Sequence, residues 1–377
     1  MRRALVAAAL LSAVGIPAYG QDLKFPAQMS WTAYDTGSSG FNMAVAIGQQ
    51  LKKYNSDVRV LAAGNDTARL APLRSGRAVA SAMGIGTYFA QEGVFEFGTR
   101  EWGPQALQLL LSSSSCNAIS LGVAKDTGVK EVKDLKGKRV GVVVGSPALT
   151  QNALGVLAFG NLTANDVKLV EFSAYGAMWK GMLNNEVDAA IASNISGQVK
   201  EVETSPRGIV FPPTPASDTA GWARVKKVSP YYSPTKATCG VGASKENPVE
   251  LPNYPYPIFV AYGSQPTDFV YSLTKAMIVE YPNYKDAAPG ADGFEAKRQN
   301  LLGAVPYHPG TAKALKEAGV WTAEAEKHNQ GLLKRQEVLA AAWKAFIDSK
   351  PADDKFTDNW MKARREALTK AGLDPVM

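Results

Sequence analysis

An α/β protein with two domains is predicted from three features of this sequence. Short apolar runs alternate with amphipathic stretches along most of its 377 residues. A pattern of strand, Gly/Ser turn and helix recurs at 37–40, 84–88 and 145–148, and Ser173 repeats it without the glycine. The length suits roughly two to three domains. With 46% hydrophobic and 20% charged residues the composition is globular, which excludes disordered, collagen-like and coiled-coil chains.

Residues 28–33 read as a first strand, followed by the turn 35–40. A helix over 41–54 carries Phe41, Val45, Gly48 and Leu51 at helical spacing. A second strand is predicted over 57–62. Asn65 or Asp66 then caps a helix bearing Arg69, Leu70, Leu73 and Arg74, which Pro72 kinks or shortens. A third strand covers 79–85, and Gly86-Thr87-Tyr88 opens a helix. The apolar, serine-rich stretch 105–123 reads as one extended strand crossing between domains, and 125–138 as a charged boundary loop. Strand 139–144 turns through Gly145 and Ser146 into a helix over 148–159, with Pro147 at its first position, where a missing amide hydrogen costs nothing. A strand over 167–172, a helix over 174–184 capped by Ser173, and a strand over 187–192 follow. Residues 206–257 are rich in Pro, Gly and Tyr and read as irregular with short strands. Strand 256–261 returns the chain to the first domain, 266–280 is an amphipathic helix, and the chain from Thr322 onward is helical.

The first residues read as an export signal. Arg2 and Arg3 precede an apolar run over 4–14, Gly15 and Pro17 break it, and Ala18-Tyr19-Gly20 offers small residues for cleavage near Gly20/Gln21. A soluble periplasmic protein is the expectation. Without Arg2 and Arg3 the balance is 39 basic to 34 acidic residues, a net +5 without dense basic runs, so nucleic-acid binding is not expected. Two histidines and two cysteines do not make a His/Cys metal centre, and no metal or cofactor is expected. Cys116 and Cys239 either pair in an oxidising compartment or lie as separate buried thiols.

Helix starts carry unpaired amides and partial positive charge, so they can hold a carboxylate without a charged side chain. In open α/β sheets such turns gather at the carboxyl ends of strands. The candidate donors are Ser38, Ser39 and Gly40 at one turn and Ser146 at another, with Thr150 and Gln151 further along the second helix. Arg69 either grips a carboxylate with two parallel hydrogen bonds or is a surface arginine. Tyr88 and Trp179, near helix starts, either flank a ligand or pack in the core. Phosphate-loop, dinucleotide and nucleophile-elbow motifs do not occur. His308, in Pro306-Tyr307-His308-Pro309-Gly310, reads as a structural cap rather than a base, and His328 as solvated.

The segments Thr36-Gly37-Ser38-Ser39-Gly40, Leu73-Arg74-Ser75-Gly76, Asp134-Leu135-Lys136-Gly137-Lys138-Arg139-Val140, Val187-Asp188-Ala189-Ala190, Val270-Tyr271-Ser272-Leu273-Thr274-Lys275 and Pro306-Tyr307-His308-Pro309-Gly310 with Glu317-Ala318-Gly319, in this order, carry a resemblance. Over residues 29–321 the chain resembles solute-binding receptors of the TAXI family of TRAP transporters. The resemblance implies a type II periplasmic binding protein fold, in which two α/β domains joined by hinge strands close over one small organic acid or amino acid. The implied layout is a signal peptide over 1–20, a discontinuous first domain over 21–122 and 256–320, a second domain over 123–255, and a helical C-terminal extension over 321–377. It further implies a monomer with no enzymatic activity that delivers its solute to the subunits of a membrane permease driven by an ion gradient. The family pattern changes at Asn65-Asp66 and Arg69, at Met83-Gly84, and at Gly145-Ser146-Pro147-Ala148, all where the ligand would sit. A cation at Arg69 and an apolar Met83 favour a carboxylate with an apolar body. A receptor for an ATP-driven importer, or a periplasmic enzyme or sensor on the same fold, are the alternatives. The extension past Trp321 is expected to pack over the domain seam, with a permease contact as the other role.

Overall fold

The computed structural model describes residues 23–376; the export signal and cleavage point expected from the sequence lie outside them. The first lobe opens with β1 (Gln28–Ala33), α1 (Ser39–Gln50), β2 (Asp57–Ala62), α2 (Asp66–Arg74), β3 (Ala80–Met83), α3 (Gly86–Glu92) and β4 (Leu107–Ser112). The chain crosses at 113–118 into a second lobe made of β5 (Ile119–Ala124), β6 (Arg139–Val143), α4 (Pro147–Phe159), β7 (Lys168–Phe172), α5 (Tyr175–Leu183), β8 (Ala189–Ser193), α6 (Gly197–Thr204), β9 (Ile209–Val210), α7 (Thr219–Val228), β10 (Ser233–Ala237) and β11 (Val249–Asn253). It returns through 254–257 to β12 (Ile258–Tyr262), α8 (Thr267–Val279), α9 (Tyr281–Tyr284) and α10 (Pro309–Glu317). A hairpin of α11 (Ala323–Asp348) and α12 (Phe356–Lys370) ends it.

Among the described residues, each lobe holds one five-stranded sheet, and the two sheets share a plan. Their orders are β2-β1-β3-β12-β4 and β7-β6-β8-β5-β9. In each, the first three strands run parallel and the strand that has come from the other lobe lies antiparallel, β12 beside β3 and β5 beside β8. Parallel strands need crossover helices, which cover both faces, so the inner strands are largely buried, their few polar residues Thr32, Ser81 and Ser120 included. β4 and β5 are buried at every position, and Trp31 of β1 is fully buried with an edge-on contact to Phe259 of β12. The edge strands β2 and β7 alternate with exposed residues.

The helix starts follow their cap residues. Ser38 Oγ accepts the Phe41 amide at 3.3 Å for α1, and Asn65 Oδ1 accepts the Ala68 amide at 2.8 Å for α2. Pro72 lies in the last turn of α2, which ends two residues later. Three expectations need correction. The stretch 105–123 is two strands in different sheets rather than one, because its serines bond to loops: the Ser113 amide to Pro257 O, Ser113 Oγ to Gly290 O and the Ser114 amide to Gly293 O. The segment 206–257 contains the helix α7, capped by Asp218 through the Gly221 amide at 2.7 Å and anchored by Trp222 and Val225. Ser173 does not cap α5, whose first flanking residue is Ala174.

The C-terminal hairpin packs on the first lobe, not over the seam. The fully buried Glu92 of α3 receives Nε and a terminal nitrogen of Arg335 at 2.7 Å each, and pairs with the buried Arg364. Trp360 Nε1 donates to Gly93 O at 2.6 Å and Gln336 Nε2 to Leu107 O at 2.7 Å. Trp343, Phe346, Phe356 and Trp360 close the hairpin on itself. Cys116, in the first crossing, is disulfide-bonded to Cys239 beside β10. Among the described residues no helix is long and apolar enough to cross a membrane.

Candidate functional site

The carboxyl ends of β1, β3, β6, β7 and β8 face one another across the gap between lobes, because each lobe turns its parallel strands toward the other. The lobes are closed on a central cavity of about 30 Å³. The first lobe contributes Tyr34, Ser38, Ser39 and Gly84, the second Ala148, Leu149, Asn152, Tyr175 and Ser193, and the return segment Tyr254 and Tyr256. Among the described residues, none that lines this cavity is charged. Burial pushes the phenols of Tyr34, Tyr175, Tyr254 and Tyr256 up, Tyr256 to about 12, so at neutral pH they act as uncharged hydrogen-bonding groups.

The start of α1 lies on the cavity wall. The Ser39 and Gly40 amides have no intrahelical acceptor, as the first amides of any α-helix lack one. The helix starts of the second lobe are occupied by acceptors of the first. Asp66 Oδ2 receives the Ala148 amide of α4 at 2.9 Å. Asp35 Oδ2 receives the Gly176 amide of α5 at 2.7 Å, and Gly64 O the Tyr175 amide at 2.8 Å. Gly37 O receives the Gly197 amide of α6 at 2.9 Å. Each helix that follows a parallel strand of the second lobe is thus capped across the gap, two of them by carboxylates that suit the positive end of the helix. Gly145 lets this approach happen. Its φ is +74°, and a Cβ there would lie 3.0 Å from Thr67 Oγ1 and 3.2 Å from Asn65 Nδ2.

The residues singled out in the sequence divide accordingly. Ser38 and Ser39 line the cavity; Gly40 does not, and a Cβ there would lie 3.0 Å from the hydroxyl of Tyr256, which does line it. Arg69 is fully buried and does not line the cavity. Its guanidinium pairs with Asp66, donates to Ala82 O at 2.8 Å and lies 3.4 Å from the Tyr34 ring centre. Burial works against the Arg69 charge, but Tyr34 and Asp66 beside it more than offset that, so its pKa is raised. The expected grip on a ligand is therefore corrected in this closed form: the carboxylate it holds is Asp66, one helical turn away. Ser146 is fully buried and its Oγ lies 2.9 Å from the Tyr34 hydroxyl rather than capping α4. Thr150 Oγ1 turns back to Ser146 O at 3.4 Å, Gln151 offers its carbonyl to Ser229 Oγ, and Trp179 is core beneath Tyr175. None of these three lines the cavity. Tyr88 lines a neighbouring cavity instead.

Sequence reasoning missed Tyr34, Asp35, Asn152, Tyr175, Tyr254 and Tyr256. The density of tyrosines at 231, 232, 254 and 256 was the one available signal.

His308 caps α10, with Nδ1 accepting the Gly310 amide at 3.1 Å, and it does not line the cavity. His328 is not simply solvated, since its Nε2 lies 2.7 Å from Gly303 O. Burial pushes the His308 imidazole down. The unfolded chain, titrating near pH ~6.5, then binds the extra proton first. The stability that His308 contributes is present above that pH and is lost as pH falls through the folded value. His308→Asn keeps an acceptor for Gly310, so urea unfolding compared between pH 7 and pH 5 should show a shallower loss in the variant. Equal slopes would contradict this.

Two α/β lobes with the strand order 2-1-3-n-4, joined by paired crossings and closed on one cavity, define the type II fold of periplasmic solute-binding proteins. Residues 34–319 match the NMT1-like family, and the chain belongs to that family. Among solved structures the chain is similar to an ancestral arginine-binding protein bound to arginine, at 15% identity and a TM-score of 0.41 over 67% of this chain and 91% of that one. It is also similar to the alkanesulfonate-binding protein of Xanthomonas axonopodis pv. citri bound to MOPS, at 16% identity and a TM-score of 0.43 over 87% and 96% of the two chains. A third is a periplasmic binding protein from Brucella ovis with glutathione bound, at 9% identity and a TM-score of 0.45 over 68% and 70%.

Proposed function

We propose that this chain is an extracytoplasmic solute-binding receptor of the TAXI type. It captures one small organic anion between its lobes and delivers it to an ion-gradient-driven TRAP permease. The observation that carries the reading is a buried cavity between two lobes with Ser38 and Ser39 on its wall, at the start of α1, where the first amides have no intrahelical acceptor. A carboxylate there is held by hydrogen bonds that charge strengthens. The remaining wall is neutral, so the rest of the ligand is uncharged.

Closure follows from where the contacts lie. The ligand touches Ser38 and Ser39 from one lobe and Ala148, Asn152 and Ser193 from the other only when the lobes meet, so binding shifts the population toward the closed form. In the open form Asp35 and Asp66 face water and the starts of α4 and α5 are uncapped. Closing joins them, and this latch works with the ligand rather than through it. The discontinuous layout, with residues 21–122 and 256–320 in one domain and 123–255 in the other, is the one that this motion requires.

Calorimetric titration of the mature chain against dicarboxylates, amino acids, aromatic acids and neutral sugars tests the reading. One carboxylate is expected to bind with 1:1 stoichiometry. Gly84→Val places its branched side chain where a Cβ already lies 3.0 Å from the Tyr254 hydroxyl and 3.2 Å from the Tyr256 ring. It should weaken that ligand at least ~100-fold by overfilling the cavity. Binding of a neutral sugar alone would contradict the proposal. Uptake that stops when an ionophore collapses the ion gradient, but survives ATP depletion, separates the TRAP permease from an ATP-driven importer.

A further inference from the structure

The central cavity is too small for a whole metabolite. Its ~30 Å³ is room for about two water-sized groups, which is the size of a carboxylate head. A second cavity of about 250 Å³ lies directly behind Tyr254, which lines both. Its apolar walls are Ile85, Tyr88, Leu109 and Ile258 of the first lobe and Tyr231 of the second, and its outer side is the segment from Asn300 through Gly303 to Val305, where Asn300, Leu302 and Ala304 are exposed and the space opens to solvent. Apolar spaces of roughly 150 Å³ take a benzene ring, so this one has room for a ring at its inner, apolar end. Closure is what places Tyr231 over this space, since its hydroxyl donates to Asn152 Oδ1 at 2.9 Å within the second lobe while the remaining wall belongs to the first lobe and the return segment. The partition is held at its ring by contacts to Tyr231, Tyr232 and Tyr256 and only loosely at its hydroxyl. The Tyr254 hydroxyl receives Asn152 Nδ2 at 3.2 Å and the Ile85 amide at 3.5 Å, the long end of hydrogen-bond range.

We propose that the compartment behind Tyr254 is a subsite for an uncharged apolar group about the size of a substituted six-membered ring. That group is the body of the ligand whose carboxylate lies at the start of α1. The proposal rests on the receptor reading and narrows it: the solute is an arylalkyl or compact alkyl monocarboxylate, and Tyr254 swings aside to join the two spaces. A dicarboxylate fits poorly, because its second charge would enter an apolar chamber while the carboxylate-binding helix starts of the second lobe are held by Asp66 and Asp35.

The test is calorimetry of the full mature chain with propionate, 3-phenylpropionate and 3-phenylpropan-1-ol. The phenyl group should tighten binding roughly 10- to 100-fold over propionate, the expected gain for burying one ring. Gly303→Phe and Ile258→Phe, two independent ways to fill the chamber, should bring that ratio close to one while leaving propionate affinity unchanged. A Cβ at Gly303 meets nothing closer than 3.6 Å, so the first variant is expected to fold. Equal affinity for the two acids, or a ratio that survives both fillings, overturns the subsite and leaves the receptor reading standing. Binding of neither acid overturns the subsite, and the receptor reading falls with it only if no dicarboxylate or amino acid binds either.

Discussion

Replacing Cys116 and Cys239 with serine is expected to lower the unfolding free energy by about 4 kcal/mol. The bond closes a loop with a sequence separation of 123 residues. In the chain-entropy account a loop of that size restricts the unfolded chain by ~4.9 kcal/mol, and measured losses for native disulfides run at ~2–5 kcal/mol. The location adds a second consequence. Cys116 sits in the crossing between lobes and Cys239 beside the β10–β11 ribbon, and the Thr238 amide donates to Cys116 O at 2.9 Å. The staple therefore ties the far end of the crossing to the second lobe, while its start, Ser113, is paired with the return segment through the Tyr256 amide and Pro257 O. Urea titration of the double variant, and of the native chain with and without dithiothreitol, should give matching losses. A change below ~1 kcal/mol would show that the bond does not constrain the unfolded chain as argued.

Asp66→Ala is expected to destabilise the chain by ~3–5 kcal/mol. It removes the one carboxylate beside a fully buried guanidinium and leaves the Arg69 charge uncompensated in the interior. It also empties the acceptor of the Ala148 amide and of the Tyr34 hydroxyl, which donates to Oδ1 at 2.7 Å. Removing both charges is gentler, since a buried pair replaced by apolar residues of similar volume is often neutral. Asp66→Leu with Arg69→Met should therefore recover much of the stability while losing the latch on α4. Denaturant unfolding of the two variants separates the effects. Interdomain distances from paired spin labels should show the double variant more open. A double variant as unstable as the single one would mean that packing, not charge, dominates at this position.

Much of the fold was legible because local signals and global fold agree here. Asn65 and Pro147 start helices where their chemistry predicts, and strands occur at Gln28–Ala33, Arg139–Val143 and Ala189–Ser193, within a residue or two of the expected segments. The break at 113–118 was hidden by the serines, whose partners are loops far away in sequence. The site was half legible. The start of α1 was found, since its glycine–serine turn faces the cavity. The reversal at α4 was not, because Asp66 reads locally as a helix cap and its role depends on a partner 82 positions on. Arg69 carried a warning that went unused: Asp66 lies three residues before it, on the same helix face, where an acid and a base pair readily.

The central claim is that one carboxylate sits at the start of α1 with both lobes closed around it. A crystal structure of the mature chain grown with the tightest-binding acid tests it most directly. The account predicts carboxylate oxygens within ~3.2 Å of the Ser39 and Gly40 amides, with Asp66 still on the Ala148 amide. A ligand carboxylate seated on α4 in place of Asp66, or a ligand bound outside the space between the lobes, would contradict it.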